Sequence, residues 1–154
     1  MSGGRVASCK YRIIGDQRER GLEWAKSRLT AWHGDWDKAS CLIHEKDNDI
    51  IACVVYNNWK PLDSVEISVA AADGERWLTR AFLFNVFRNP FIDWDMRRVW
   101  SCISADNQKS IRLCEHLGFV QEGRLRQGAG PTVDILLYGM LKSECRYLGD
   151  KYNG

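Results

Sequence analysis

One continuous stretch limits what this chain can fold into more than any other. Asn107-Gln108-Lys109-Ser110-Ile111-Arg112-Leu113-Cys114-Glu115-His116-Leu117-Gly118-Phe119-Val120-Gln121-Glu122-Gly123 runs from a polar helix start, through an amphipathic helix, to a glycine stop and a new strand. Asp106 or Asn107 offers the side-chain oxygen that caps a first helical turn. Gly118 supplies the left-handed residue that ends the helix without a Cβ penalty. Arg97 to Ile103 reads as a strand just before this unit. A helix set between two strands makes a mixed α/β layer architecture the expected class.

The rest of the chain fits that class. Tyr11 to Ile14 reads as a short strand, and Leu22, Ala25, Leu29 and Trp32 recur at helical spacing within Gln17 to Trp32. Met1 to Gly4 reads as a loose terminus, and His33-Gly34-Asp35 as the end of the helical region. Ser40 to His44 and Ile50 to Tyr56 read as a hairpin turned by Asp47-Asn48-Asp49, with Asn57 to Pro61 as an interruption. Val65, Ile67 and Val69 alternate with Glu66, Ser68 and Ala70, so Glu66 falls on a strand face that need not be buried against the core. Asp73-Gly74 leads into an apolar helix from Glu75 to Phe87, capped by Asp73 and ended by Asn89-Pro90. Phe119 to Leu125 and Thr132 to Leu141 form a terminal hairpin around the flexible loop Gln127 to Pro131. The expected order is an early antiparallel meander, two strand–helix units and a last hairpin, in one domain spanning 1–154.

Several functions are excluded. A doubly wound nucleotide fold needs regular alternation and a glycine-rich turn after an early strand, and neither occurs. No run of 18 apolar residues exists to span a membrane. His33, His44 and His116 lack metal-ligand spacing, so no metal is expected. Cys114 and His116 stand two apart on a helix and face different ways, which removes a cysteine–histidine nucleophile pair. Six cysteines with no CxxC pair, and no apolar secretion segment, lead us to expect free thiols in a reducing, cytoplasmic setting. Cys53 and Cys102 sit in apolar runs and read as buried. A net charge of +2 is too weak to argue for nucleic acid, which leaves only the short clusters Arg97-Arg98 and Arg124 to Arg126 for such a partner. Trp32, His33, Trp36, Trp59 and Trp94 fall in or near expected loops that could roof a groove.

The combined order and spacing of Asn107-x-x-Ser110, Leu117-Gly118-Phe119-x-x-Glu122-Gly123, Arg126, Asp134-x-x-x-Tyr138-x-Met140 and Val65-Glu66-Ile67-Ser68 resembles the GNAT superfamily of acyl-CoA N-acyltransferases. Within it the chain is most similar to the ribosomal-protein alanine N-acetyltransferase type. The resemblance implies a central mixed sheet flanked by helices and splayed between its fourth and fifth strands, here Val65 to Ala70 and Arg97 to Ile103. It implies acetyl-CoA as cofactor, its pantetheine arm in the split and its pyrophosphate on amides at the following helix start, where free N–H groups meet an anion. Ser68, Val69, Ala70, Gly74, Glu75 and Arg76, with Asn107, Ser110 and Arg112, are the implied coenzyme contacts. The family's phosphate loop carries an arginine or glutamine and then spaced glycines. Here Ala71-Ala72-Asp73-Gly74-Glu75-Arg76-Trp77 retains Gly74 alone and adds two acids, with Arg76 and Arg80 as compensating charge.

Acyl transfer to an amine needs a group that removes the ammonium proton and one that meets the leaving thiolate. Glu66 is the candidate base. Cys114 stands where many family members have the acid tyrosine, and Tyr138 is the other candidate acid. Asn107 and Ser110 have an ordinary reading as a helix cap and its partner. The acceptor class is a primary amine on a protein, peptide or small molecule, and a homodimer is implied by the resemblance. Two alternatives stand beside this reading: a non-catalytic binding module on the same fold, and a relative that modifies a nucleic-acid base.

Overall fold

The computed structural model describes residues 8–29 and 36–152. Met1 to Gly4, Trp32 and His33 lie outside them. Among the described residues seven strands form one sheet: β1 (Tyr11–Ile14), β2 (Ser40–Lys46), β3 (Asp49–Lys60), β4 (Ser64–Ala71), β5 (Arg98–Ser104), β6 (Val120–Gly130) and β7 (Val133–Leu141). Their spatial order is β1-β2-β3-β4-β5-β7-β6, antiparallel everywhere except between β4 and β5. The α-helices α1 (Arg18–Lys26), α2 (Arg80–Arg88) and α3 (Gln108–Leu117) flank it. The mixed α/β class is therefore the observed one.

Alternation along the strands sends apolar side chains to both faces, as a sheet covered on two sides requires. Leu42, Val54, Tyr56, Val65, Ile67 and Val99 meet Phe82, Val86 and Phe87 of α2 and Leu117 of α3. On the other face Cys41, Ile43, Cys53 and Val55 meet Leu22 and Ala25 of α1. Gly21 permits that second contact. A Cβ there would overlap Cys41 Sγ and lie 3.0 Å from Ile43 Cγ1, so α1 rests on the strands with no side chain between.

Several boundaries depart from the sequence reading, each for a tertiary reason. The helix expected from Glu75 begins instead at Arg80, and its cap is Thr79, whose Oγ1 accepts from Phe82 N at 3.2 Å. Asp73 does not cap it. The segment before Thr79 is held elsewhere: Glu75 pairs with Lys46 at 3.2 Å, and the Trp77 carbonyl accepts from His44 Nδ1 at 2.8 Å. The first helix ends at Lys26, short of Trp32, where Arg28 N and Leu29 N both turn back to the Ala25 carbonyl. Strand β3 runs through the expected interruption to Lys60 by way of a bulge between Asn57 and Lys60. Asn89-Pro90 ends α2 as expected, with Asn89 as its C-cap. The chain continues as a π-turn, Asn89–Asp93, closed by Trp94 N to Asn89 O at 3.0 Å. The loop expected at 127–131 is mostly strand, with Gly130 paired to Val133. The polar tail packs inward: Tyr147 is buried, stacks on Phe87 and donates its hydroxyl to Leu117 O at 3.0 Å.

Candidate active site

The parallel ladder between β4 and β5 is short. Ser64 pairs with Arg98, Val65 with Val99 and Glu66 with Trp100, and beyond Glu66 the strands part. The gap widens into a cleft of about 840 Å³, whose walls are Ile67–Ala71 of β4 and Ser101–Ser104 of β5. On its antiparallel side β4 remains paired to β3 as far as Ala71. In such a strand alternate peptide groups point to opposite edges, so part of the β4 backbone faces the gap with no β5 partner. Phe87, Leu113, Cys114, Leu117 and Phe119 give the cleft an apolar floor, while Asp106, Asn107, Lys109 and Ser110 give it a polar end.

Helix α3 places that polar end. Asn107 caps it, its side-chain oxygen accepting from Ser110 N at 3.2 Å, and Gly118 closes it at φ 99°. Asn107, Ser110 and Cys114 follow the helical period along one side and all line the cleft. Arg112 is exposed and lies off the lining. Burial, with the Glu115 carboxylate nearby, pushes the Cys114 thiol up to about 12. Tyr138 is buried on β7, away from the lining, and donates its hydroxyl to Glu115 Oε1 at 2.9 Å. Burial and that bond raise its phenol to about 12.

At the opposite wall, Ser68, Val69 and Ala70 line the cleft with the other β4 residues that have no β5 partner. Asp73 and Trp77 come from the β4–α2 connection, whereas Gly74, Glu75 and Arg76 lie off the lining. Gly74 adopts φ 74°, which glycine tolerates at no steric cost. Because α2 starts at Arg80 and Thr79 occupies the Phe82 amide, the amides left at that helix start are those of Arg80 and Ala81. Asp73 forms an ion pair with Lys109 of α3 at 3.3 Å, joining the two sides of the cleft mouth.

Glu66 stands at the apex, the last β4 residue still paired to β5, just outside the residues that line the cleft. It is 4% exposed, although alternation alone did not require that face to be buried. The reason lies in β3. Asn57 pairs directly with Glu66, and Asn58, at φ 52° in the bulge, donates its Nδ2 to Glu66 Oε2. Cys102 of β5 is half-buried beside them, its thiol pushed up to about 11 by burial and by the Glu66 charge. The sequence reading missed Asn57, Asn58, Cys102 and Lys109 as neighbours of the site. Only the strand register and the packing of α3 bring them there, and no local spacing signals it.

The remaining candidates are distributed away from the cleft. Trp36 is buried in the α1-side core, and Trp59 packs on Trp94 with ring centroids 4.5 Å apart. Arg97 pairs with Asp63, Arg98 with Glu122 and Arg124 with Asp134, so much of the local positive charge is matched. All six cysteines are free, Cys53 fully buried and Cys9 exposed. Among the described residues no cluster of histidine, cysteine or carboxylate could hold a metal ion, and no helix is long and apolar enough to cross a membrane.

No family model matches the sequence, and no curated protein matches it. Solved structures do resemble it. A probable acetyltransferase is 23% identical with a TM-score of 0.59, over 69% of this chain and 62% of that one. A chimera of the Vibrio cholerae spermidine N-acetyltransferase SpeG and hSSAT is 17% identical with a TM-score of 0.68, over 90% and 98%. The dodecameric spermidine N-acetyltransferase from Vibrio cholerae is 16% identical with a TM-score of 0.65, over 88% and 94%. At these identities the similarity speaks for architecture alone: this chain shares its mixed α/β fold, a central sheet flanked by helices, with these acetyltransferase structures.

Proposed function

We propose that this protein transfers an acetyl group from acetyl-CoA to a primary amine. The observation that carries the reading is the parting of β4 and β5 after Glu66, which leaves strand backbone facing a cleft of about 840 Å³. An extended pantetheine arm offers amides that such a strand edge can pair, as an added strand would. The pyrophosphate then falls near the start of α2, on the Arg80 and Ala81 amides with Arg76 and Arg80 as charge. Asn107 and Ser110 meet the arm from α3.

In this reading a peptide N–H of β4 polarises the thioester carbonyl and holds the oxyanion as the amine adds. Glu66, at the apex, accepts the ammonium proton. The leaving thiolate is less demanding. Burial and the Glu115 charge hold the Cys114 thiol protonated, so in this reading Cys114 shapes the cleft and solvent protonates the departing coenzyme. Tyr138 is committed to Glu115 and supports α3 against β7.

The acceptor is a protein, peptide or small-molecule amine. The spermidine acetyltransferases of the same fold make a polyamine the first small molecule to offer, and the alanine-type sequence resemblance makes an alanine-initiated peptide the first peptide. The dodecameric relative makes self-assembly a proposal for sedimentation to test.

One observation favours a non-catalytic module: the phosphate end carries Asp73 and Glu75, and its helix starts late. Calorimetric titration of the reduced protein with acetyl-CoA tests both. Saturable micromolar binding at one site per chain, followed by acetylation in an amine screen, supports the enzyme. Binding without transfer supports the module, and no binding removes the coenzyme from both.

A further inference from the structure

The strand opposite Glu66 carries the observation that reaches further. Asn57 is 1% exposed, and neither its Oδ1 nor its Nδ2 has a hydrogen-bond partner. A buried amide in that state costs stability, whereas a leucine of similar shape would cost nothing of the kind. The neighbouring positions on β3 are apolar: Val54, Val55 and Tyr56 are all buried. Asn57 and Glu66 are register partners in an antiparallel pair, so their side chains leave the same face with Cβ atoms about 5 Å apart. Next to them the bulge places Asn58 in the left-handed region and turns its amide onto the same carboxylate. Two asparagines, one of them in the left-handed region, thus flank one buried acid. Asn58 is itself exposed, so solvent comes within one side chain of the apex.

We propose that Asn57 is a positioning residue for the acyl transfer, fixing with Glu66 one water through which the acceptor amine loses its proton. The inference rests on the N-acetyltransferase reading. A buried water needs two to four polar partners, and the amide of Asn57, the carboxylate of Glu66 and the incoming amine supply them. The ammonium N–H bond breaks as its proton passes to the water oxygen. The water gives one of its own protons to a Glu66 oxygen and is regenerated. The nitrogen keeps the electron pair that attacks the thioester, and Glu66 later returns its proton to solvent. Asn57 touches neither amine nor coenzyme; it sets where the water sits.

Asn57→Leu and Asn57→Ser test this, with acetyl-CoA as donor and an alanine-initiated peptide and spermidine as acceptor probes. Asn57→Leu is expected to lower kcat by about 10- to 100-fold, since positioning is lost while the base remains. The KM for acetyl-CoA stays within about twofold, because the coenzyme wall is untouched. The melting temperature holds or rises as the orphan amide disappears. Asn57→Ser keeps a donor and an acceptor and restores part of kcat. A kcat for Asn57→Leu within about twofold of wild type overturns the inference. So does a fall in kcat that tracks a fall in melting temperature in both variants, which is a structural role. A wild-type protein that binds no acetyl-CoA, or binds it and acetylates neither probe, removes the enzymatic reading and the inference with it. Failure in the variants alone removes only the inference.

Discussion

Glu66 owes its setting to two asparagines that precede it in the chain. Asn58 can adopt φ 52° because its short polar side chain tolerates the left-handed region, and that conformation aims Nδ2 at the carboxylate. Glu66→Gln keeps an oxygen for Asn58 and nearly the same shape, so the fold should hold. If Glu66 is the base, kcat should fall by about 10²- to 10⁴-fold with coenzyme affinity nearly unchanged. Steady-state kinetics paired with acetyl-CoA calorimetry decides it, and an unaltered kcat would take Glu66 out of the chemistry. At residue scale the sequence pointed to Glu66 through the alternation on β4 and the resemblance carried by Val65-Glu66-Ile67-Ser68. It missed burial, because alternation names a face and cannot say what covers it.

Helix α3 was legible almost to the residue, since its signals are local: a capping asparagine, a helical period and a glycine with positive φ. Asn107→Ala should cost about 1 kcal/mol of stability through the lost cap, and should also weaken acetyl-CoA binding. Asn107→Asp keeps the capping oxygen but brings a negative charge to the cleft. If the residue also meets the coenzyme, Asp should preserve the denaturation midpoint yet still lose affinity. Equal affinity in all three proteins would leave Asn107 a cap only. Helix α2 was less legible. Its start was decided by Thr79 after His44 and Lys46, distant in sequence, had taken Trp77 and Glu75. Helix α1 is fixed by contact: Gly21→Ala would drive a methyl group into Cys41 and Ile43. Overpacking of this kind costs about 1–3 kcal/mol, and urea denaturation should show it. A midpoint equal to wild type would mean that α1 can lift from the sheet freely.

For the molecule as a whole, the buried thiols and phenol make stability depend on alkaline pH. Burial raises Cys102 to about 11 and Cys114 to about 12 from an ordinary 9.0, and Tyr138 to about 12 from 10.0. The fold therefore keeps protons that the unfolded chain gives up as pH climbs through 9 and 10. Stability is full below those unfolded values and is lost as pH rises toward the folded ones. Denaturant midpoints should fall steadily above pH 9, and the Cys102→Ala, Cys114→Ala double variant should fall less steeply. A flat profile from pH 8 to pH 11 would contradict the burial of these groups. On the acid side His44, whose value burial lowers from 6.5, is held neutral, so stability should also decline as pH drops below 6.5.

The amino-acid sequence by itself determined which segments become strands and helices wherever the cause is local: alternation on β4, the period and caps of α3, the left-handed Gly118. It also carried the order of elements that places a parallel strand pair in the middle of the sheet. Tertiary structure alone decided where that pair separates, that Glu66 lies buried at the apex, that Asn57 and Asn58 of β3 flank it, and that α2 starts at Arg80. The reason is range. Dihedral preference and capping act within a few residues, whereas register and the competition for backbone partners are settled between segments far apart in the chain.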